Sequence, residues 1–258
     1  EFNGAPLTID ADTTLDFGTR TVIIGNSKEI NLAGGITLTI QAGSFIMRPG
    51  SRIKNGQVTN GGNVVVTVDD DIVVAGTFDA RLVAVDRATG ELRWQTPIGD
   101  HPKAVIFGSP VLVDGLVVAG VGSYEVFAPG DPPSFRGHVV ALDAATGAEE
   151  WRFWVTAGDA SEGAGVSIWS SPAVDTERGV LYIGTGQAYA LPAPPRSDAL
   201  LALDPHTGEE MWSTQFTAGD AWTITTPTGL DADVGAAPNL FTVDGTDAVG
   251  VGDKAGTY

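Results

Sequence analysis

One eleven-residue phrase occurs three times in this chain and limits the fold more than any other feature. Ala84-Val-Asp86-Arg-Ala-Thr89-Gly90-Glu-Leu-Arg-Trp94 returns at Ala141 to Trp151 and again at Ala202 to Trp212, always as Ala-x-Asp-x-x-Thr-Gly-x-x-x-Trp. The three tryptophans lie 57 and then 61 positions apart. Self-similarity at a long period marks one supersecondary unit repeated. Within a copy, a run such as Leu82-Val-Ala-Val85 alternates as a strand, and Asp86 to Gly90 reads as a tight turn. Asp and Thr side chains bond back to turn amides, and Gly takes positive φ at little cost. The strand then resumes and carries a Trp, a flat surface suited to the seam between neighbouring sheets. Strand, polar turn, strand and Trp, repeated, predict a β-propeller.

The rest of the chain supports an all-β reading. Its 258 residues include 34 Gly and 15 Pro, dispersed as turn punctuation, and no window holds a sustained 3.6-residue apolar period. No apolar run is long enough to cross a membrane as a helix. The net charge of −18 excludes nucleic acid and anionic membranes as partners, because both would repel it. There is no cysteine, hence no disulfide or thiolate chemistry, which suits a periplasmic or secreted protein that relies on packing. The chain starts at Glu1 without a signal peptide and stops at Tyr258, where the next copy of the phrase is due. It is therefore expected to be a fragment of a larger chain, inactive by itself, with about three to four blades of an incomplete ring.

Two segments differ in character. Residues 1–77 lack the phrase and show short strands such as Leu7-Thr-Ile9, Ile36 to Ile40, Val64 to Val68 and Ile72-Val-Val74. Gly and Asn corners separate them, at Gly25-Asn26, Gly34-Gly35, Asn55-Gly56 and Asn60-Gly-Gly-Asn63. This pattern predicts a β-solenoid or meander, with degenerate early blades as the alternative. Residues 78–258 hold the blades. His101, His138 and His206 share no metal-ligand spacing and are expected on the surface. Gly184-Thr-Gly186 reads as a strand-end turn, not a dinucleotide fingerprint.

Residues 78–258, through the repeated phrase and the stretches Gly122-Ser-Tyr-Glu125 to Arg136-Gly137, Ile168-Trp169 to Gly184-Thr-Gly-Gln187, and Gly252-Asp-Lys254, resemble the quinoprotein alcohol dehydrogenases. The polyvinyl-alcohol dehydrogenase-like branch is the best match. The resemblance implies an eight-bladed propeller in which the phrase is a tryptophan-docking motif. It also implies pyrroloquinoline quinone and calcium as cofactors, a small alcohol or polyol as substrate, and a cytochrome c as electron acceptor. Residue by residue, it makes Glu125 a calcium ligand and Gln187 a second, standing where the family has Asn. It makes Trp169 the floor under the quinone and Lys254 the cation at the quinone oxygens.

Read without the resemblance, Glu125 is a solvated loop acid, Trp169 a seam residue and Lys254 a surface lysine. The general base is open. The family sets an Asp directly after a Trp, but Trp222 is followed by Thr223, leaving Asp220, Asp231 and Asp233 as candidates. The missing Asp sustains a second reading, a non-catalytic propeller that serves as a protein-binding scaffold in the bacterial envelope.

Overall fold

The computed structural model describes residues 7–9, 11, 13–16, 21–24, 29–32, 37–42, 44–47, 52–55, 63–68, 72–159, 161–227 and 229–258. The chain divides into two compact units, Glu1–Asp71 and Ile72–Tyr258. The first is built of parallel pairs. Leu7–Ile9 lies on Glu29–Leu32, which lies on Arg52–Asn55; Thr13–Asp16 lies on Thr37–Ala42 and Asn63–Val68; and Thr21–Ile24 lies on Ser44–Met47. In register, Leu7 pairs with Ile30, and Ile30 with Ile53, a step of 23 residues, whereas Thr13 to Leu38 and Leu38 to Val64 are steps of 25 and 26. Parallel stacking of successive coils is a solenoid, whereas a meander or a blade would pair its strands antiparallel. Ile30 and Leu38 form part of its interior. The Gly25-Asn26, Gly34-Gly35 and Asn60 to Gly62 corners, with Gly56, lie outside the described residues.

The second unit is a fan of antiparallel sheets belonging to a β-propeller. The first blade holds Ile72–Gly76, Arg81–Asp86 and Leu92–Pro97. Ile72–Gly76, grouped by its alternation with the first segment, is hydrogen-bonded along Arg81–Asp86 and so opens this blade. The second blade is Ala104–Val105, Val111–Val113, Leu116–Ser123, His138–Asp143 and Glu149–Trp154. The third is Ala173–Asp175, Val180–Gly184, Ala199–Leu203 and Glu210–Gln215, and a hairpin of Asn239–Val243 and Thr246–Gly250 follows. Pro110, Pro172 and Pro238 stand just before outer strands, where a missing N–H disturbs no ladder.

The turn and bulge of the repeated phrase form in all three copies. Asp86 Oδ1 accepts from the Ala88 and Thr89 amides at 2.9 and 2.8 Å; Asp143 and Asp204 hold their own turns in the same way. The ladder shifts register after Ala84, Ala141 and Ala202, a bulge that sets each small Ala opposite its Trp. Trp94 Nε1 then donates to Ala144 O at 2.8 Å, and Trp151 Nε1 to Pro205 O at 3.0 Å. Each ring lies on the Gly of the following turn. A Cβ on Gly147 would stand 2.7 Å from the Trp94 ring, and one on Gly208 2.5 Å from Trp151. These glycines are thus required twice, by the neighbouring indole and by φ of 72° and 71°. Trp94 and Trp151 are 8% and 9% exposed, whereas Trp212 is 40% exposed, with its ring 5.8 Å from that of Tyr182.

A second repeat closes the inner ends of the seams. Cβ atoms on Gly76, Gly120 and Gly184 would fall within 2.6 Å of side-chain carbons of Ile106, Ile168 and Val234, each a β-branched wedge from the next sheet. Leu82, Ala84, Val117 and Val140 fill the first seam; Val118, Ile168, Leu181 and Leu201 fill the second.

His138 is fully buried, contrary to the surface position expected of it. Its ring nitrogens meet the carbonyl oxygens of Arg136 and Ile98 at 3.0 and 2.9 Å, and its ring lies 4.5 Å from that of Trp154. Burial holds its pKa below the ordinary histidine value.

Candidate functional site

The wedge repeat builds the site. Phe107, Trp169 and Gly235 each follow a wedge residue, and Ser167 and Asp233 each precede one. Here the copies diverge in chemistry while their neighbours stay alike. Trp169 lies across Gly235, where a Cβ would fall 2.0 Å from the ring, so glycine is what lets the indole lie flat. The result is a cavity of about 340 Å³ lined by Phe107, Ser123, Val126, Phe127, Ser167, Trp169, Gln187, Tyr189, Trp222, Asp231, Asp233 and Lys254.

Trp169, Gln187, Asp231, Asp233 and Lys254, all drawn from the sequence, meet in this one cavity. Lys254 Nζ hydrogen-bonds Asp233 Oδ2 at 2.8 Å and forms an ion pair with Asp231 Oδ1 at 2.6 Å. The Gln187 amide donates to Asp233 Oδ1 at 2.9 Å, and Gln187 Nε2 donates to Trp222 O at 3.2 Å. Asp233 is 4% exposed. Burial raises its pKa above the ordinary carboxylate value, the nearby Asp231 adds to the rise, and Lys254 and the Gln187 amide oppose it. Burial works against the charge of Lys254, but its bonds to Asp231 and Asp233 outweigh that and raise its pKa.

Two sequence candidates lie elsewhere. Asp220 is buried, and its oxygens accept from the Leu230 and Ala232 amides at 2.7 and 2.8 Å. Its bonds pin the segment that delivers Asp231 and Asp233; it does not line the cavity. Glu125 is 1% exposed, not a solvated acid. It sits in the short 3₁₀ turn Tyr124–Val126, and its oxygens accept from the Phe135, Ser134 and Gly130 amides at 2.8, 3.2 and 3.3 Å. It therefore latches the loop over residues 128–135. Among the described residues no group of three or more His, Cys, Asp or Glu is arranged to hold a metal ion.

Sequence reasoning missed several members. In the sequence Trp222 only marks where a neighbouring Asp is due, yet it lines the cavity. Tyr189 bonds Ser167 Oγ at 2.6 Å and donates to Ser123 O at 3.2 Å, and its burial raises its pKa. Aligning the wedge positions would have flagged Phe107, Ser167 and Asp233 as divergent points in a conserved frame. Asp198 gave no signal at all. It is fully buried at φ 50°, its oxygens have no hydrogen-bond partner among the described residues, and burial together with Asp220, Asp233 and Asp231 pushes its pKa up to about 8.

Comparison with known proteins agrees with this geometry. The family described as "Glucose/ethanol/alcohol dehydrogenase, beta-propeller domain" matches residues 98–257, and that of "Outer membrane protein assembly factor BamB" matches residues 51–131. A polyvinylalcohol dehydrogenase of a Pseudomonas species is 34% identical over 199 residues, covering 67% of this chain and 31% of the relative. The quinohemoprotein alcohol dehydrogenase ADH-IIG of Pseudomonas putida is 34% identical over 59% of this chain and 25% of its own length. The solved quinohemoprotein alcohol dehydrogenase of Comamonas testosteroni superposes with a TM-score of 0.57 at 26% identity, covering 75% of this chain and 32% of that one. The chain thus spans about a third or less of the length of these relatives. No helix among the described residues is long and apolar enough to cross a membrane. With its blades, its seams and a family match over more than half its length, the chain belongs to the β-propeller family of the quinone-dependent glucose, ethanol and other alcohol dehydrogenases.

Proposed function

We propose that this chain supplies the cofactor-holding wall of a periplasmic or secreted quinoprotein that oxidises an alcohol or polyol. The observation that carries the reading is the meeting of Trp169, Gln187, Asp233 and Lys254 in one cavity. Pyrroloquinoline quinone is flat and anionic: the indole face held flat by Gly235 fits its plane, and its charge would meet one ammonium, Lys254, which Asp231 and Asp233 already share. Bound there, the quinone would supply the two-electron acceptor. A cytochrome as the onward acceptor follows from the family alone.

The chain's own residues then divide the work. Trp169 sets the plane of the bound ring. Lys254 supplies positive charge beside it. Asp233 is the general base: it is held by the Gln187 amide and Lys254, and burial raises its pKa above the ordinary carboxylate value, which makes it a stronger proton acceptor than an exposed carboxylate. Asp231 shares Lys254 and so tunes Asp233. The residues as they stand do not form a calcium cage, because Glu125 gives both oxygens to the 128–135 loop.

A second reading is a scaffold that binds proteins of the bacterial envelope; the BamB match over residues 51–131 favours it. Adding pyrroloquinoline quinone to the protein separates the two, because a ligand that binds only the folded form raises Tm. The oxidoreductase reading expects a rise that Trp169→Leu and Lys254→Met abolish. No rise in the unaltered protein would leave the scaffold.

A further inference from the structure

Phe107, Phe127 and Trp222 line the cofactor cavity beside Trp169 and carry no role in holding the quinone. Phe107 and Phe127 are 48% and 61% exposed, large apolar groups left bare at the edge of a concavity, as binding surfaces are. They are braced. Phe107 meets the Phe78 ring edge-on at 6.2 Å between centroids, and Phe78 stacks on Tyr124 at 5.7 Å. Ile224 N–H bonds Val126 O at 3.0 Å, which ties the turn after Trp222 to the residue before Phe127.

The hydroxyls of the same lining are spent. Ser123 N–H donates to Ser167 Oγ at 3.0 Å, Ser167 Oγ donates to Tyr189 at 2.6 Å, and Tyr189 donates to Ser123 O at 3.2 Å, which closes a ring. The Ser123 hydroxyl donates to Lys103 O at 2.9 Å. A substrate that needed donors for further oxygens would find these protons taken. The charged residues of the lining are Asp231, Asp233 and Lys254, two carboxylates against one ammonium, in a chain of net charge −18. Such a field gathers cations and turns anions away. Aromatic faces beside surplus carboxylate suit an alkylated ammonium, which is drawn to the negative face of a ring. A quaternary nitrogen has no N–H to satisfy, so the spent hydroxyls cost it nothing.

We propose that Phe107, Phe127 and Trp222 form a subsite for an alkylated ammonium group, and that the alcohol taken by this cavity is a small cationic one. The ammonium lies against the rings and the hydroxyl points to Asp233. The place of the hydroxyl rests on the oxidoreductase reading; the place of the ammonium does not. An anionic quinone on Trp169 adds to the attraction. The cation in turn favours the ionised form of Asp233, the form that accepts a proton.

The test is calorimetric titration of the 258-residue protein, without cofactor, with choline, with its neutral carbon isostere 3,3-dimethylbutan-1-ol and with glycolate. Choline should bind about tenfold or more tightly than the isostere, and glycolate more weakly than either. Phe107→Leu and Phe127→Leu keep apolar area but lose the ring face, so each should cut the preference for choline severalfold and leave the isostere nearly unchanged. The melting transition of the unliganded variants reports that they are folded. A preference that survives both substitutions would come from diffuse net charge and would overturn the proposal. So would an isostere or glycolate that binds as tightly as choline, or choline that does not bind. A ring-dependent preference for choline without any quinone-induced rise in Tm would keep the subsite and remove the oxidoreductase reading.

Discussion

The seams and the cavity are built from adjacent positions of the same repeats, yet they obey opposite rules. In the seams the copies are alike: Trp94 and Trp151 both sit on a turn glycine, Gly147 and Gly208, and Ile106, Ile168 and Val234 fill the space over Gly76, Gly120 and Gly184. One residue further along, the copies part into Phe107, Trp169 and Gly235. Sameness serves packing, because each sheet must fit the next. Divergence at a position flanked by sameness marks the place released from packing for chemistry.

The widest gap is expected between two tryptophans of one motif. Trp151→Ala leaves a hole between blades and should cost about 3–5 kcal/mol, whereas Trp212→Ala, already 40% exposed, should cost far less. Denaturant unfolding of both variants checks this; equal losses would mean that the seams do not depend on the indole seat.

Next comes Asp198, a buried polar group that neither the seams nor the cavity use. Its folded pKa of about 8 stands above its unfolded value, so the folded form keeps a proton that the unfolded chain releases. Stability from this group is whole below about pH 4 and is lost as the pH rises towards 8. Asp198→Asn should therefore raise stability near pH 8 by on the order of a few kcal/mol and change little in acid. Melting curves across that range would show it, and a pH-independent offset would contradict the buried charge. His138 tilts the opposite way. Its depressed pKa gives stability that is whole above the ordinary histidine value and falls as the pH drops through it.

A smaller effect bears on the cavity alone. Gly235→Ala should displace the Trp169 ring and abolish the quinone-induced rise in Tm, while the unliganded protein loses about 1–3 kcal/mol from overpacking. A retained rise would remove Trp169 as the floor. Smallest is the response of the 128–135 loop to calcium. If calcium with quinone takes Glu125 from the Phe135 and Ser134 amides, proteolysis of that loop should quicken. Unchanged cleavage with full quinone binding would show that Glu125 stays a latch.

The propeller was legible because its signals are local: an Asp that bonds amides two and three residues on, a Gly at positive φ and a Trp at fixed spacing need no knowledge of the rest. Trp169, Gln187 and Lys254 were reached by family resemblance, and the structure brings them together. The proposed base was not, because Asp220, Asp231 and Asp233 lie within fourteen positions and only backbone direction decides which faces the cavity. Asp220 turns to the Leu230 and Ala232 amides, whereas Asp231 and Asp233 both line the cavity. Glu125 and Asp198 were equally opaque, since their burial depends on segments far away in sequence that fold over them. In the first segment, strand positions could be read but not the direction of pairing, which alternation does not encode.

The hydrogen bond from each indole to the turn of the following sheet carries a cost in time. Trp94 finds Ala144, and Trp151 finds Pro205, only after some fifty further residues have been made. At ribosomal speeds of about 5–20 residues per second, a nascent blade waits roughly 3–10 s with its largest apolar side chain bare. Synthesis is thus a relay of unfinished surfaces, each guarded only when its successor arrives.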